Sequence, residues 1–292
     1  MDINTKYFKI IKEDGIHFDH KYVDGLNVIN GNFQEEGKCV PGRLYFTTID
    51  HLWKFLYMGT QVVEIYLPTN DPEFKMINDT EGKYGANKII LGKKYKLDDP
   101  FTFKYLIKNG FSIQKNYILI WALERQYFYV IDYILSQIKI NKCHIEIFLK
   151  YLEKYIFNGL NKLVQLIISK IGLFLSENQL NDLVLSTLDY NKIELLPIFF
   201  GYIKNTHTFT VLFNRLVGLN NLSMIKNLIS SGADYINNFN FACLESIRSN
   251  NFEQLKFLFS LKKINEQQIM KFLNYAMIYQ RIEIIDYLLE YN

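Results

Sequence analysis

From Leu222 to the C-terminus one pattern recurs with almost no drift, and it constrains the fold more than any other feature. Leu222-Ser223-Met224-Ile225-Lys226-Asn227-Leu228, Phe252-Glu253-Gln254-Leu255-Lys256-Phe257-Leu258 and Ile282-Glu283-Ile284-Ile285-Asp286-Tyr287-Leu288 align, with Leu228, Leu258 and Leu288 thirty residues apart both times. Apolar residues fall at i, i+3 and i+6 of each copy, one face of a helix. A self-similar period of this length means small supersecondary units stacked in an array, each burying its neighbour's apolar face. Such a chain is expected to be a binding scaffold.

The pattern continues upstream with more erosion. Ile193-Glu194-Leu195-Leu196 lies 29 residues before the Leu222 copy, Leu163-Val164-Gln165-Leu166 lies 30 earlier, and Phe128-Tyr129-Val130-Ile131 another 35. Phe103 to Gly110 matches the second half of a unit, giving six units and a leading partial one. A polar pair precedes each copy: Gln126-Tyr127, Asn161-Lys162, Asn191-Lys192, Asn220-Asn221, Asn250-Asn251 and Gln280-Arg281. These pairs predict a left-handed stop between the two helices of a unit, which Asn tolerates best among non-glycine residues. Gly110 and Gly232 close second helices, and Asn292 takes the same place after Leu288. Pro197 falls inside a second helix and should kink it.

Residues 1–99 read differently. Short β-type runs (Tyr7 to Ile11, Gly25 to Ile29, Leu44 to Thr47, Val62 to Leu67, Phe74 to Ile77, Lys88 to Leu91) alternate with turn-forming Gly, Pro, Asn and Asp, including Asn78-Asp79-Thr80-Glu81-Gly82. One helix interrupts them, capped by Thr48 or Asp50, with Ile49, Leu52, Trp53, Leu56 and Tyr57 as its buried stripe and Gly59 as its end. Pro100 after Asp98-Asp99 suits the first turn of a helix and marks the boundary. The expectation is a mainly α chain: a small α+β domain over 1–99, then a helix-pair solenoid over 100–292.

The repeats resemble ankyrin repeats. Leu228-Ile229-Ser230-Ser231-Gly232-Ala233-Asp234 matches that family's second-helix run, and Ala122, Thr187, Ser246 and Ala276 match the small residue of its first helix. The family's Thr-Pro-Leu-His opening is absent, with Lys271-Phe272-Leu273-Asn274 nearest to it, and Phe157 and Leu216 stand at two of the small-residue positions. Together with residues 1–99 the chain is similar to ankyrin-repeat proteins of giant DNA viruses of the mimivirus type. That N-terminal resemblance rests on Gly25-Leu26-Asn27-Val28, Pro41-Gly42, Leu44-Tyr45-Phe46-Thr47, Val63 to Pro68 and Ala86 to Gly92, with Arg43 where a second Gly is usual. The resemblance implies a non-enzymatic protein–protein interaction scaffold whose concave face, lined by the exposed ends of first helices, holds a partner protein. By position Glu124, Asp189, Tyr190, Arg248 and Tyr279 are the candidate partner-binding residues.

Other chemistry is weighed against this. Net charge is +3, no Lys/Arg run exceeds two, and the basic residues divide 13 and 20 about residue 96 against 13 and 17 acidic ones, so no nucleic-acid footprint is expected. Only five of the 33 basic residues are Arg, a bias of the kind an A/T-rich genome writes. Most of the 21 Tyr and 23 Phe fall at core spacing, which favours packing over base stacking. Three separated cysteines (Cys39, Cys143, Cys243), no apolar leader and no membrane-length apolar run point to an intracellular, cytoplasmic protein. His17-Phe18-Asp19-His20 with Cys39 is the best offer of a metal site but lacks a fourth ligand and a paired spacing, and Cys143-His144 reads as structural, so no metal or cofactor is expected. A nucleophilic arrangement of Cys39 with His20 or His51 has no local signature. Gly92-Lys93-Lys94 lacks the remainder of a phosphate loop.

One enzymatic alternative stays open. Gly42 to Thr47, a helix, then Val62 to Leu67 loosely resemble the core of ADP-ribosyltransferases, which implies a nucleotide-binding N-terminal domain with the repeats as substrate receptor. The resemblance implies an inactive one, because Leu26-Asn27-Val28-Ile29 lacks that family's His and Lys88 to Leu91 carries no glutamate. At the C-terminus, Ile282, Ile285, Leu288 and Leu289 are expected to face inward, leaving Ile284, Tyr287 and Tyr291 on a half-protected outer side. No F-box-like tail follows Asn292, so ubiquitin-ligase recruitment is not expected.

Overall fold

The computed structural model describes residues 5–17, 20–203, 206–232 and 235–291. The chain packs as two compact units, residues 1–147 and 148–292. Ala233, Asp234 and Asn292, part of the repeat signature and its last stop, lie outside the described residues.

The first unit is built on a seven-stranded antiparallel sheet. Its strands are β1 (Tyr7–Ile11), β4 (Gly25–Val28), β5 (Leu44–Thr48), β6 (Gln61–Tyr66), β7 (Met76–Thr80), β8 (Lys83–Ala86) and β9 (Lys88–Lys96), in the spatial order β4-β9-β6-β1-β5-β8-β7. A separate two-residue hairpin joins β2 (Ile16–His17) to β3 (His20–Lys21). Ile11, Leu44, Phe46, Val63, Ile65, Ala86, Ile89 and Leu91 meet in one core with Tyr22. Alternation sends Phe8 and Ile10 to the opposite face. There the 3-10 helix Ile49–Met58 packs on β1 and buries Leu52 and Leu56.

Several sequence expectations shift here. β7 runs through Asn78-Asp79-Thr80, read as a turn, because the Asp79 carboxylate is bound from outside by the Cys39 N–H (2.9 Å) and by Arg43 (2.6 Å). The turn is confined to Glu81-Gly82, and strand β8 follows it. Thr48 is the residue before the 3-10 helix, but its side chain caps no backbone N–H and meets His51 Nδ1 at 3.3 Å instead. Gly59 ends that helix in extended backbone; it is glycine because a Cβ would sit 2.1 Å from the Ile11 carbonyl oxygen.

Helices follow: α1 (Pro100–Lys108), α2 (Asn116–Arg125), α3 (Phe128–Gln137) and α4 (Lys142–Phe157). Pro100 opens α1, and the Asp99 side chain caps it by accepting from the Phe101 N–H at 2.9 Å. Trp121 of α2 is fully buried and donates through Nε1 to the Leu56 carbonyl at 3.1 Å.

The remaining helices are α5 (Asn161–Ile171), α6 (Glu177–Asp189), a 3-10 turn Ile193–Leu195, α7 (Pro197–Phe200), α8 (Thr206–Gly218), α9 (Leu222–Ser230), α10 (Phe239–Arg248), α11 (Phe252–Leu261), α12 (Glu266–Ile278) and α13 (Ile282–Glu290). Among the described residues the corner between paired helices is the same device six times. A left-handed residue stands at Gln126, Gly159, Asn191, Asn220, Asn250 and Gln280, with φ between 54° and 65°. The next N–H reaches back five residues: Tyr127 to Ala122 (3.1 Å), Leu160 to Tyr155 (2.9 Å), Lys192 to Thr187 (2.6 Å), Asn221 to Leu216 (3.1 Å), Asn251 to Ser246 (2.8 Å) and Arg281 to Ala276 (3.0 Å). This Schellman geometry satisfies helix-end carbonyls and turns the chain in two residues.

The Asn161-Lys162 corner is therefore corrected: the stop is Gly159, Asn161 already begins α5, and Tyr155, not Phe157, holds the small-residue position. Glycine adopts the left-handed conformation without penalty, so it replaces the Asn of other units at this corner. Eight residues beyond each corner lie Ile134, Ile167, Phe199, Leu228, Leu258 and Leu288, all at most 1% exposed. Pro197 does more than kink its helix: it splits it into the 3-10 turn and the four-residue α7, with Pro197 as first residue. In residues 148–292, α8 packs on α6 and α10, and α10 on α12.

The face assigned to α13 is also corrected. Ile284 and Leu288 are buried, whereas Ile282 and Leu289 are 72% and 65% exposed. Ile284 and Leu288 sit four and eight residues past the corner, in register with Gln254 and Leu258 of α11. Tyr287 packs on Phe252 (5.1 Å between centroids) and Tyr291 on Phe259 (5.1 Å), so that side is covered by the preceding unit.

Candidate functional site

Four of the five candidate partner-binding residues fall within residues 148–292, where the ends of successive first helices form a polar ladder. Tyr190, just past α6, donates its hydroxyl to Glu153 of α4 at 3.3 Å and sets its ring edge-on to Phe157 at 5.2 Å. Asp189 at the end of α6 pairs with Arg215 of α8 at 3.4 Å, both side chains well exposed. Arg248, the last residue of α10, donates through Nε to Glu245 at 2.9 Å. Glu245 thereby raises the Arg248 pKa further, and the same bond holds Glu245 below the usual carboxylate range. Tyr279 follows α12 and packs on the Tyr275 ring at 4.8 Å. Glu124 belongs to the other unit, where it accepts from the Tyr57 hydroxyl at 2.8 Å beside an Arg125 bond to the Tyr57 carbonyl.

Residues that sequence reasoning missed lock the ladder's backbone. Arg281 donates to the carbonyls of Arg248 (2.6 Å) and Ile247 (3.3 Å), taking helix-end acceptors of the preceding unit. Asn220 Oδ1 accepts from Ser249 (2.9 Å) and from Asn251 Nδ2 (3.2 Å), tying two consecutive corners together. Beneath them the buried Gln254 donates to Ser246 Oγ at 2.9 Å. The signal was present in the recurring corner, but pairings between units are invisible to a single-unit pattern.

A second site lies in residues 1–147. β1 and β5 are paired only where Tyr7 and Phe8 meet Thr48 and Thr47, whereas β1 pairs with β6 over its whole length. Beyond Phe8 the strands part, and a cavity of about 570 Å³ opens at the fork, within the ~300–1,000 Å³ range of small-molecule pockets. Lys9 sits there, 5% exposed, its Nζ donating to the Tyr45 carbonyl (2.8 Å) that the parted strand leaves free, and lying 4.4 Å from the Tyr22 ring centroid. Burial, aided by Lys83, pushes the Lys9 amine down to about 7.

The rim of this cavity is an ion-paired knot. Arg43 bonds Asp79 (2.6 Å) and the carbonyls of Gln34 (2.6 Å), Glu36 (2.7 Å) and Gly37 (3.0 Å), so it organises the loop before β5. Lys83 meets Asp79 at 3.3 Å and donates to Cys39 Sγ at 2.9 Å. Burial pushes the Asp79 pKa up, but the Cys39 N–H and Lys83 more than offset it and hold the carboxyl below its ordinary range.

His17, His20 and Cys39 all line the cavity. Among the described residues no three His, Cys, Asp or Glu are placed to hold a metal, and Asp19 lies outside them. His51 meets Thr48 through Nδ1 and Glu81 through Nε2. Cys143 accepts from Asn116 at 3.1 Å, and His144 and Asn141 cap each other's backbone. Gly92-Lys93-Lys94 lies inside β9. Among the described residues no helix is long and apolar enough to cross a membrane.

No protein-family model matches the chain, and no solved structure matches it. Several proteins of Acanthamoeba polyphaga mimivirus do, among them the following three. A protein described as ankyrin repeat protein R868 is 44% identical over 138 residues, 46% of this chain and 68% of its own length. Another so described, L100, is 47% identical over 135 residues, 44% of this chain, but the match spans only 22% of that longer protein. The uncharacterized protein R869 is 46% identical over 38% of this chain and 81% of its own length. With six left-handed corners between paired helices and this degree of identity, the chain belongs to the ankyrin repeat proteins of the mimivirus type.

Proposed function

We propose that the chain is a non-enzymatic scaffold that binds a partner protein through the ladder at the first-helix ends. In this reading residues 1–99 form an α+β domain and residues 100–292 stack as an ankyrin solenoid inside the host cell. The supporting observation is the ladder itself: Asp189 and Arg248 stand two residues before their corners and Tyr190 and Tyr279 one residue before, Tyr190 half-buried and the others exposed, each held by a neighbour. Side chains ordered before binding lose less conformational entropy on contact, which favours a recognition surface. Alternating charge with tyrosine suits a polar protein surface better than a polyanion. Glu124 occupies the equivalent helix-end position in its own unit.

The test is affinity capture from expressing cells with the full chain and with an Asp189→Arg/Arg248→Glu variant of unchanged melting temperature. A protein retained by the native chain and lost from the variant supports the reading. Equal retention by both contradicts it. The cavity in residues 1–147 favours a second reading, a nucleotide-binding domain with the repeats as substrate receptor. Calorimetry with NAD tests that separately, and absence of a binding heat removes it.

A further inference from the structure

The cavity at the β1–β5 fork carries an unbalanced polar inventory. Among the described residues that line it are three cations, Lys9, Arg43 and Lys83, and no carboxylate. Arg43 is already bonded to Asp79 and three carbonyls, and Lys83 is shared between Asp79 and Cys39. Lys9 is different: among the described residues it pairs with no carboxylate, and its polar partner is one backbone carbonyl. A buried ammonium without a counter-ion is costly, and the group responds by shedding its proton unless an anion arrives.

His20 supplies a second observation. Its Nε2 is buried and has no hydrogen-bond partner among the described residues. Its ring packs on Tyr22 at 4.6 Å, the same ring that lies 4.4 Å from Lys9 Nζ, so both groups converge on one aromatic floor. Tyr45, Phe46 and Phe55 add further flat apolar wall.

We propose that this cavity binds a small aromatic monocarboxylate, its ring against the aromatic walls and its carboxylate bridging Lys9 Nζ and His20 Nε2. One uncompensated cation calls for one negative charge, and Lys9 Nζ together with His20 Nε2, in the tautomer that carries its proton there, offers two donors to the two oxygens of a carboxylate. This goes beyond the partner-binding reading and does not depend on it.

The groups facing Lys9 fix its pH behaviour. Lys83 comes from β8, Arg43 and Tyr45 from β5, Asp79 from β7 behind Arg43, His17 and His20 from the β2–β3 hairpin, and Tyr22 from just after it. The 3-10 helix offers Phe55 and Met58, and β6 places Val63 opposite Lys9. Burial, then Lys9 and Lys12, push His17 down to about 4, so it stays neutral near pH 7. Lys9, lowered to about 7, therefore takes up a proton when the carboxylate enters.

The test is titration calorimetry of the full chain with 2-naphthoate and with its uncharged counterpart 2-naphthalenemethanol. The acid should bind about tenfold or more tightly than the alcohol at pH 6.5, the worth of a charge-assisted pair. Its affinity should fall about tenfold from pH 6 to pH 8 as Lys9 loses its proton, and buffers of different ionisation heat should report proton uptake on binding. Lys9→Met and His20→Phe, each folded, should each weaken the acid about tenfold and leave the alcohol unchanged. No binding of either probe, equal binding of both, or a pH-independent affinity in the native chain would overturn the proposal without any variant. So would undiminished naphthoate binding in a folded Lys9→Met chain.

Discussion

The two halves of the molecule bury different things. Within residues 148–292 the buried polar side chains are Thr187, Thr208, Ser246 and Gln254, none of them charged, among the described residues. The sheet-bearing unit buries Lys9, Arg43 and Asp79. The helical half turns its chain with backbone conformation, one left-handed residue per unit, and joins its units through an apolar core and polar bonds at the corners and helix ends. The strand-rich half fixes its loops with charged hydrogen bonds between residues far apart in the chain, as Lys83 and Cys39 are at 44 positions. Local devices leave a periodic trace; long-range ones do not.

Breaking the charged knot should have the largest effect. Asp79→Ala leaves the Arg43 guanidinium, 0% exposed, without its counter-ion, and removing one partner of a buried pair costs about 3–5 kcal/mol. Urea melts should show this loss. A cost near zero would mean that the knot is as dispensable as a surface pair.

In the helical half the comparable injury is a cavity. Leu258→Ala empties a fully buried position and should cost about 2–5 kcal/mol. Lys256, on the exposed side of the same helix, lies 3.8 Å from the Phe252 ring and 3.6 Å from Glu253, and Lys256→Ala should stay within about 0.5 kcal/mol. Similar losses for the two would invert the face assignment.

Lys9 sharpens the contrast through pH. Its folded pKa of about 7 lies below that of an unfolded lysine, so between about pH 7 and 10 the unfolded chain binds the extra proton. Stability should therefore rise with pH across that window, with a slope from this group of at most about 1.4 kcal/mol per pH unit. Melts of the native chain against Lys9→Met between pH 7.5 and 9 isolate that slope. Parallel profiles would show that Lys9 is not a buried amine.

The corners should show a smaller effect than the knot or the core. Asn250 has φ 57°, and Asn250→Ala places an ordinary side chain in the left-handed region at about 1–2 kcal/mol, whereas Asn250→Gly should be neutral or slightly stabilising. Equal melting of the two variants would remove the corner as the device that sets the repeat.

These differences explain what the sequence disclosed. Five of the six corners were legible, because Asn or Gln before a helical apolar stripe is a local signal; the sixth was misplaced by two residues because Gly159 does the same work with no polar pair. Strands β1, β5 and β6 were legible from their β-branched and aromatic runs. β7 and β8 were displaced or missed, since the bonds from Arg43 and the Cys39 N–H that hold Asp79 in a strand come from residues about 40 positions away. The ladder positions followed from the ankyrin resemblance, but the bonds holding them, Glu153–Tyr190 and Asp189–Arg215, join different units. Of the cavity only His17, His20 and Cys39 stood out in the sequence, and Lys9 did not, because nothing local marks a strand lysine as buried.

The most direct test of the partner-binding account is hydrogen exchange on the full chain with and without its captured partner. The account predicts slowed exchange at the ends of α6, α8, α10 and α12 and at the corner amides that follow them. Protection confined to the outer sides of α9 and α11, or to the strands of the sheet, would contradict it.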